Sequence, residues 1–285
     1  MNAPLAMVRK TLLESRWLLG ATALALFGLA WLFLFITSRS EARRREPVAD
    51  PLAAMRRSGF ARMAQGIGGP SVSESNSATV AVAFWRHPFF LLLLCLWPIA
   101  RGSAAVAGEV ERGTLDLVLS RPISRTAYLG AQVAAATLGM IALGVAAAAG
   151  DLAAARVYPL EAPPHASAML GSIANVVALG MAIFGGTLLF SAGDVVRWRA
   201  TLIGSGLTLL SFVLLVLGPV FAAFPSLEGW KWVDRLSIFR AFDPVEAMVA
   251  ARNLPFNGGL LGGLAVGFIV VAMGIFAHRD LPANG

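Results

Sequence analysis

The chain has 285 residues, of which 57% are hydrophobic and only 14% are charged, and its mean hydropathy is +0.72. This composition excludes an ordinary soluble domain and is typical of a membrane protein. Basic side chains outnumber acidic ones 23 to 16, but they lie between the apolar runs, which indicates membrane topology and no nucleic-acid partner. The single cysteine, Cys95, excludes a disulfide framework within one chain and a cysteine-rich metal site.

The N-terminal residues 1–17 alternate apolar and basic side chains at the spacing of a helix that lies in the membrane interface. The apolar run that follows has about 20 residues and no small-residue cleavage site close behind it, so we expect an uncleaved first span. Five more runs are long enough to cross the hydrocarbon. The six predicted spans are about 18–37, 88–107, 127–149, 168–190, 201–224 and 256–277.

We therefore predict an all-α membrane protein with one domain over residues 1–285 and both termini in the cytoplasm. The polar connection 38–86 then lies outside the cell membrane, and within it residues 50–65 form either a basic amphipathic helix or a solvated loop. The charge count alone does not give this orientation. Ten basic residues fall on the predicted inner side and thirteen on the outer, seven of them from the stretch 39–62, which runs against the positive-inside rule.

The connection between spans 5 and 6 is too polar to cross the membrane. It predicts short helices that lie on the extracytoplasmic surface of the membrane. Apolar side chains recur there at helical spacing, at Trp230, Val233, Leu236 and Phe239. A second short helix is expected to begin with Asp243 as its N-cap and Pro244 at its first position.

The spans are rich in small residues, among them the glycine series 258–267, which predicts close helix packing in lipid. Three polar side chains interrupt them. Arg101 near the end of span 2 either extends to the headgroups or takes part in gating. Gln132 in span 3 and Asn175 in span 4 either form hydrogen bonds between helices or contact a transported substrate.

A charged, Gly- and Pro-containing stretch, 101–130, separates spans 2 and 3. In it, two glycines bracket two acidic residues, and Thr114 can cap a helix of barely two turns that Pro122 ends. One face of that helix is apolar and consists of Leu115, Val118 and Leu119. Because so short a helix is not stable alone, this face is expected to dock either on its own bundle or in a groove of a partner.

The sequence of this stretch, GEVERGTLDLVLSRPISR, resembles the signature of the type-2 ABC exporter permeases. The matching positions are Gly108, Glu109, Glu111, Gly113, Thr114, Leu115, Leu117, Leu119, Pro122, Ser124 and Arg125. The N-terminal MVRKTLLESRW, the segment FDPVEAMVAAR and the terminal FAHRDL also resemble parts of that family. The chain departs from the family at Asp243, where Asn is frequent, and in its long Arg-rich loop.

The resemblance implies a dimeric transmembrane subunit in a bacterial inner membrane, homodimeric or heterodimeric. Its loop between spans 2 and 3 would be a coupling helix seated on a cytoplasmic ATPase, with Val118, Leu119, Pro122 and Arg125 among the coupling residues. Glu109 and Glu111 are then either solvated loop charges or ion-pair partners of the ATPase or of the N-terminal helix. The chain has no G-x-x-x-x-G-K-[ST] loop, so ATP and Mg²⁺ are expected on the partner, and no cofactor on this chain.

Two other functions compete with this interpretation. An intramembrane aspartyl protease would need Asp151 and Asp194 close enough to share a proton, but one crossing separates them. The three histidines show no metal-binding spacing. A sensor, immunity or assembly protein that uses the same scaffold without transporting remains the alternative to an exporter.

Overall fold

The computed structural model describes residues 3–45, 77–115, 120, 123–249 and 254–279. Helices fill most of these ranges, and no strand occurs in them, which confirms the predicted all-α class. The α-helices in chain order are α1 (Ala3–Glu14), α2 (Arg16–Arg45), α3 (Ser77–Ala83), α4 (Pro88–Ala105), α5 (Ala107–Glu111), α6 (Arg125–Val157), α7 (Met169–Gly193), α8 (Arg197–Ala223), α9 (Pro244–Val249) and α10 (Leu254–His278). Short 3₁₀ helices lie at Phe84–Arg86, Glu228–Leu236 and Ile238–Ala241.

Six of these helices, α2, α4, α6, α7, α8 and α10, are long and apolar enough to cross a membrane, as the hydropathy pattern predicts. Their ends differ from the predicted ones. Helix α6 continues to Val157 instead of ending at Gly150, because this glycine is a packing residue and not a helix stop. A Cβ atom there would meet the backbone of Phe27 in α2. The predicted helix over 50–65 lies outside the described residues.

Buried aromatic side chains and small residues build the core between the spans. Trp97 of α4 lies over Gly139 of α6, and Met140 of α6 lies over Gly180 of α7. These glycines allow the close approach that the sequence predicts. The glycines of α10 differ, since a Cβ atom added at any of them meets nothing within 4 Å. Their predicted use in close packing is therefore not found within one chain.

Hydrogen bonds define the two ends of the bundle. At one end, which we call the loop end, the residues around Glu111 meet the start of α8, and Arg125 meets the end of α10. At the other, the far end, the Trp85 indole Nε1 donates to Asp151 Oδ2 at 2.9 Å. There, Arg86 also forms an ion pair with Asp243 at 3.4 Å.

Capping residues fix the helix starts at the far end. Pro88 is the first residue of α4, and the His87 side chain accepts a hydrogen bond from the Phe89 amide. Burial lowers the pKa of His87, which favours the neutral ring that can accept this bond. Asp243 Oδ1 accepts from the Glu246 amide at 3.0 Å and so caps α9, with Pro244 at its first position.

The segment between α8 and α9 differs from the single amphipathic helix predicted there. It forms two 3₁₀ helices separated at Ser237, whose backbone is extended. Of the four apolar side chains expected on one face, Val233 and Phe239 are buried, whereas Trp230 and Leu236 are 58% and 62% exposed. The break at Ser237 prevents one continuous face.

Candidate functional site

The site begins at a break between α4 and α5. Val106 has φ −123° and ψ −62°, so its amide and that of Ala107 lose their helical partners. Both amides donate to the Ser191 hydroxyl of α7, at 3.3 and 2.9 Å, and this hydroxyl donates to the Ser103 carbonyl at 3.0 Å. One buried serine thus accepts hydrogen bonds from the two backbone amides that the break in the neighbouring helix leaves open. It also attaches the start of the loop to α7.

Gly113 ends α5 in the left-handed region, with φ 66°. Its amide donates to the Val110 carbonyl at 2.9 Å, and the Thr114 amide donates to the Glu109 carbonyl at 3.0 Å. These two bonds are those of a Schellman motif, in which glycine avoids the steric cost that a side chain would meet. The glycine of the motif therefore sets the direction in which the chain leaves α5.

We expect Gly113→Ala to lower the free energy of unfolding by about 1 kcal/mol, because a Cβ atom is unfavourable at this positive φ. Thermal unfolding of the purified protein in detergent measures the loss. Gly193→Ala is the matched control, since glycine 193 has space around its Cα and no positive φ. Equal melting temperatures for the two variants would contradict the assignment.

Glu109 is buried, and both of its carboxylate oxygens are occupied. Arg112 Nη2 donates to Oε1 and Thr114 Oγ1 donates to Oε2, each at 2.5 Å. Glu109 is therefore neither a solvated loop charge nor free to pair with another protein in this arrangement. Its carboxylate instead closes the turn around Gly113.

Glu111 is exposed and contacts the first residue of α8. Its Oε2 accepts from the Arg197 backbone amide at 2.8 Å, and a negative charge is favourable at a helix N-terminus. The Arg197 side chain then lies close to α5, so that a Cβ atom on Gly108 would meet its Cδ at 3.3 Å. The two motif residues Glu111 and Gly108 thereby hold α5 against α8.

Arg125 lies at the start of α6 and binds the C-terminal end of α10. Its Nη1 donates to the carbonyls of Phe276, Ala277 and Arg279, at 3.1, 3.2 and 2.6 Å. Arg279 binds the C-terminal end of α7 in the same way. Its Nη1 donates to the carbonyls of Ala192 and Asp194 at 3.0 and 2.8 Å. A cation at a helix C-terminus satisfies open carbonyls and is favourable to the helix dipole.

A buried polar cluster lies next to the loop, between α1, α4 and α6. Arg101 is only 9% exposed, and its Nη2 donates to the Gln132 amide oxygen at 2.8 Å. The Thr11 hydroxyl of α1 donates to the same oxygen at 3.4 Å. The amide nitrogen of Gln132 donates to the Tyr128 hydroxyl at 3.2 Å, and this hydroxyl donates to the Ala105 carbonyl at 2.5 Å.

Arg101 therefore does not extend to the headgroups. This excludes the first of the two alternatives that the sequence leaves open for it. No ion pair among the described residues includes it. A buried guanidinium held by neutral groups is costly in a membrane protein, and such residues are mostly functional.

A family model described as ABC-2 family transporter protein matches residues 9–281. The chain belongs to the ABC-2 transporter family. A search of curated proteins gives no significant match. The six apolar helices and this family together make the chain a multi-pass transmembrane permease component, a class whose members work with an ABC ATPase subunit in general.

The structure of this ABC-2 permease brings most of the predicted residues together. Glu109, Glu111, Gly113 and Thr114 form one unit at the loop end, and Leu115, which is 2% exposed, packs in the core of its own bundle. Val118, Leu119 and Pro122 lie outside the described residues. Leu115 thus docks on its own bundle, which is the first of the two alternatives given for the apolar face of the short helix.

Asn175 does not belong with the other two polar residues of the permease spans. It lies towards the far end, where its Nδ2 donates to the Ala241 carbonyl at 3.5 Å. Asp151 and Asp194 also lie at opposite ends, the first bonded to Trp85 and the second to the amides of Val195 and Val196. Two carboxylates so placed cannot share a proton.

Sequence reasoning missed several residues of other helices that contact the motif, the break before it or the polar cluster beside it. Arg197 bonds the motif residue Glu111, whereas Ser191 and Tyr128 bond the chain at the break before α5 and Thr11 bonds Gln132 of the polar cluster. Ser191 and Tyr128 had a weak signal, since each is a polar side chain inside an apolar run. No local pattern pairs any of them with the loop.

Proposed function

We propose that this permease is the transmembrane subunit of an ATP-binding-cassette exporter. A separate cytoplasmic ATPase binds ATP and Mg²⁺ and docks on the segment that follows Thr114. In this proposal the loop end faces the cytoplasm of a bacterial cell, both termini lie there, and the chain itself performs no catalysis. The observation that carries the proposal is the attachment of α5 and of the break before it to three different spans.

The first support is the number of these attachments. Ser191 of α7 binds the start of α5, and Glu111 binds the first amide of α8. The Tyr128 hydroxyl of α6 binds the last turn of α4 just before the break. Because these bonds are short and largely buried, a push on the loop moves the loop ends of these spans with it and does not bend a flexible connection.

The second support is the nature of the joint itself. The Schellman turn at Gly113 and the doubly bonded Glu109 fix the direction of the chain into the coupling segment. ATP-driven closure of two ATPase subunits would then displace the coupling segments and, through them, the spans of two permease copies. A second copy is favoured by the lipid-side surface, since in the most apolar 18-residue stretches of α8 and α10 only 17% and 22% of the residues are buried within one chain.

The docking segment is tested by Leu119→Asp, which we expect to abolish co-purification of the ATPase subunit while membrane insertion is unchanged. A carboxylate on the apolar face of an amphipathic helix would have to be buried without a partner in the groove. Affinity purification of the tagged permease from membranes that contain both subunits gives the measurement. Leu115→Asp would not test docking of the ATPase, because Leu115 is buried in the bundle and its substitution would impair folding.

Leu227→Asp is the matched control, since this partly exposed leucine lies beyond the far end of α8. It should keep the ATPase. Equal retention of the ATPase by Leu119→Asp and wild type would refute docking at this segment. An assembled complex that hydrolyses ATP in vesicles but moves nothing across them would favour the sensor alternative.

A further inference from the structure

A groove open to the lipid side lies where α1 meets α2, against the middle of α6. It has a volume of about 660 Å³, which is within the range of about 300 to 1,000 Å³ found for small-molecule sites. Its walls are apolar and include Val8, Leu12, Leu19, Ala23, Leu138 and Ala142. Gly20 also lines it, and a Cβ atom there would meet nothing within 4 Å.

Two arginines line the same groove. Arg9 and Arg16 are both exposed, and neither has an ion-pair partner among the described residues. The nearby acid on α1, Glu14, is paired with Lys10 at 3.4 Å. The groove therefore combines an apolar interior with an uncompensated positive rim.

An exposed aromatic residue indicates the depth of this rim in the membrane. Trp17 is 79% exposed, and the Arg16 guanidinium lies 5.3 Å from the centre of its ring. Tryptophan with an adjacent arginine is typical of the headgroup level of a bilayer. The arginines are thus placed where phosphate groups lie, and the apolar walls continue from there along α2 and α6.

We propose that this groove binds one anionic phospholipid, with its phosphate between Arg9 and Arg16 and an acyl chain along α2 and α6. The positive charge of the two arginines favours an anionic lipid over a second copy of the chain as the occupant of the groove. A second copy of the chain whose two-fold axis passes through this groove would bring the same two arginines together and would be repelled. An anionic lipid supplies both the negative charge and the apolar tail.

The proposal is tested by titrating the purified, delipidated full chain with dioleoylphosphatidylglycerol or dioleoylphosphatidylcholine and counting bound lipids by native mass spectrometry. The wild type should bind one phosphatidylglycerol in preference to phosphatidylcholine. The double variant Arg9→Gln, Arg16→Gln should lower this preference by roughly 25-fold, about fivefold for each arginine. Arg156→Gln removes an exposed cation at the far end and should change nothing.

A second variant tests the apolar part separately. Gly20→Leu adds an apolar side chain to the groove at a position where a Cβ atom meets nothing within 4 Å, and it should weaken the binding of both lipids by at least about tenfold, since it occupies the space of the acyl chain. Equal affinity of the wild type for the two lipids would overturn the proposal, as would unchanged binding in Gly20→Leu. Neither result depends on the ATPase, so the lipid site and the exporter function are judged independently.

Discussion

Replacing Arg101 by Leu should leave the protein at least as stable as the wild type and lower the ATP hydrolysis rate of the assembled complex by about tenfold or more. Burying a charge without an ion-pair partner costs several kcal/mol, and the bond from Arg101 to the Gln132 amide at 2.8 Å recovers only about 1.5–3 kcal/mol of it. The substitution removes the cost together with the bond. A group kept at such a cost is expected to act in the transport cycle.

Thermal unfolding in detergent and the ATPase rate of the complex in vesicles measure the two effects. Gln132→Leu is the informative comparison, because it leaves the Arg101 guanidinium buried without its acceptor. We expect this variant to lose about 3 kcal/mol of stability. If Arg101→Leu is itself destabilised by more than about 2 kcal/mol and its ATPase rate falls only in proportion to the folded fraction, Arg101 has a structural role alone.

The six spans could be predicted from the sequence because each one is a local property. A helix in lipid satisfies its own backbone, so a run of about 20 apolar residues is sufficient to define it. The ends of the spans were harder to predict. Gly150 resembles a helix end in sequence, yet it lies inside α6, where it allows α2 to approach. That role depends on a contact more than 100 residues away along the chain.

In the candidate site, too, local features could be predicted from the sequence, whereas contacts between distant residues could not. The motif residues Glu109, Glu111 and Gly113 could be identified by their spacing, but their functions in the fold could not. Glu111 binds an amide 86 residues further along the chain, and Ser191 binds amides 84 and 85 residues before it. Such pairs are set by helix packing, and neither hydropathy nor periodicity contains that information.

Arg101 illustrates why position along a span is a poor guide to exposure. It lies thirteen residues after Pro88, about 20 Å along α4 at 1.5 Å per residue, which is compatible with a side chain that extends to the headgroups. The structure turns it towards α6 instead, because Gln132 offers an acceptor there. Whether such an acceptor exists on the next helix cannot be predicted from the residues around Arg101.

Replacing Trp85 by Ala should cost about 3–5 kcal/mol of stability, the largest loss we expect for one substitution at the far end. The Trp85 side chain is fully buried, and its ring stacks on Phe90 with 5.5 Å between centroids. Its indole nitrogen also donates a hydrogen bond to the buried Asp151 carboxyl, whose other oxygen has no partner among the described residues. The substitution therefore leaves a cavity and an unsatisfied acid together.

The two contributions can be separated by a double-mutant cycle. Trp85→Phe keeps most of the ring but removes the donor, and we expect it to cost about 1–3 kcal/mol because Asp151 is then buried without any hydrogen bond. Adding Asp151→Leu to Trp85→Phe should recover most of this loss, since both polar groups are then replaced by apolar ones. Thermal unfolding of Trp85→Phe, of Asp151→Leu and of the double variant, each compared with the wild type, gives the coupling energy. Strictly additive losses would mean that the hydrogen bond contributes nothing and that Trp85 stabilises the far end by packing alone.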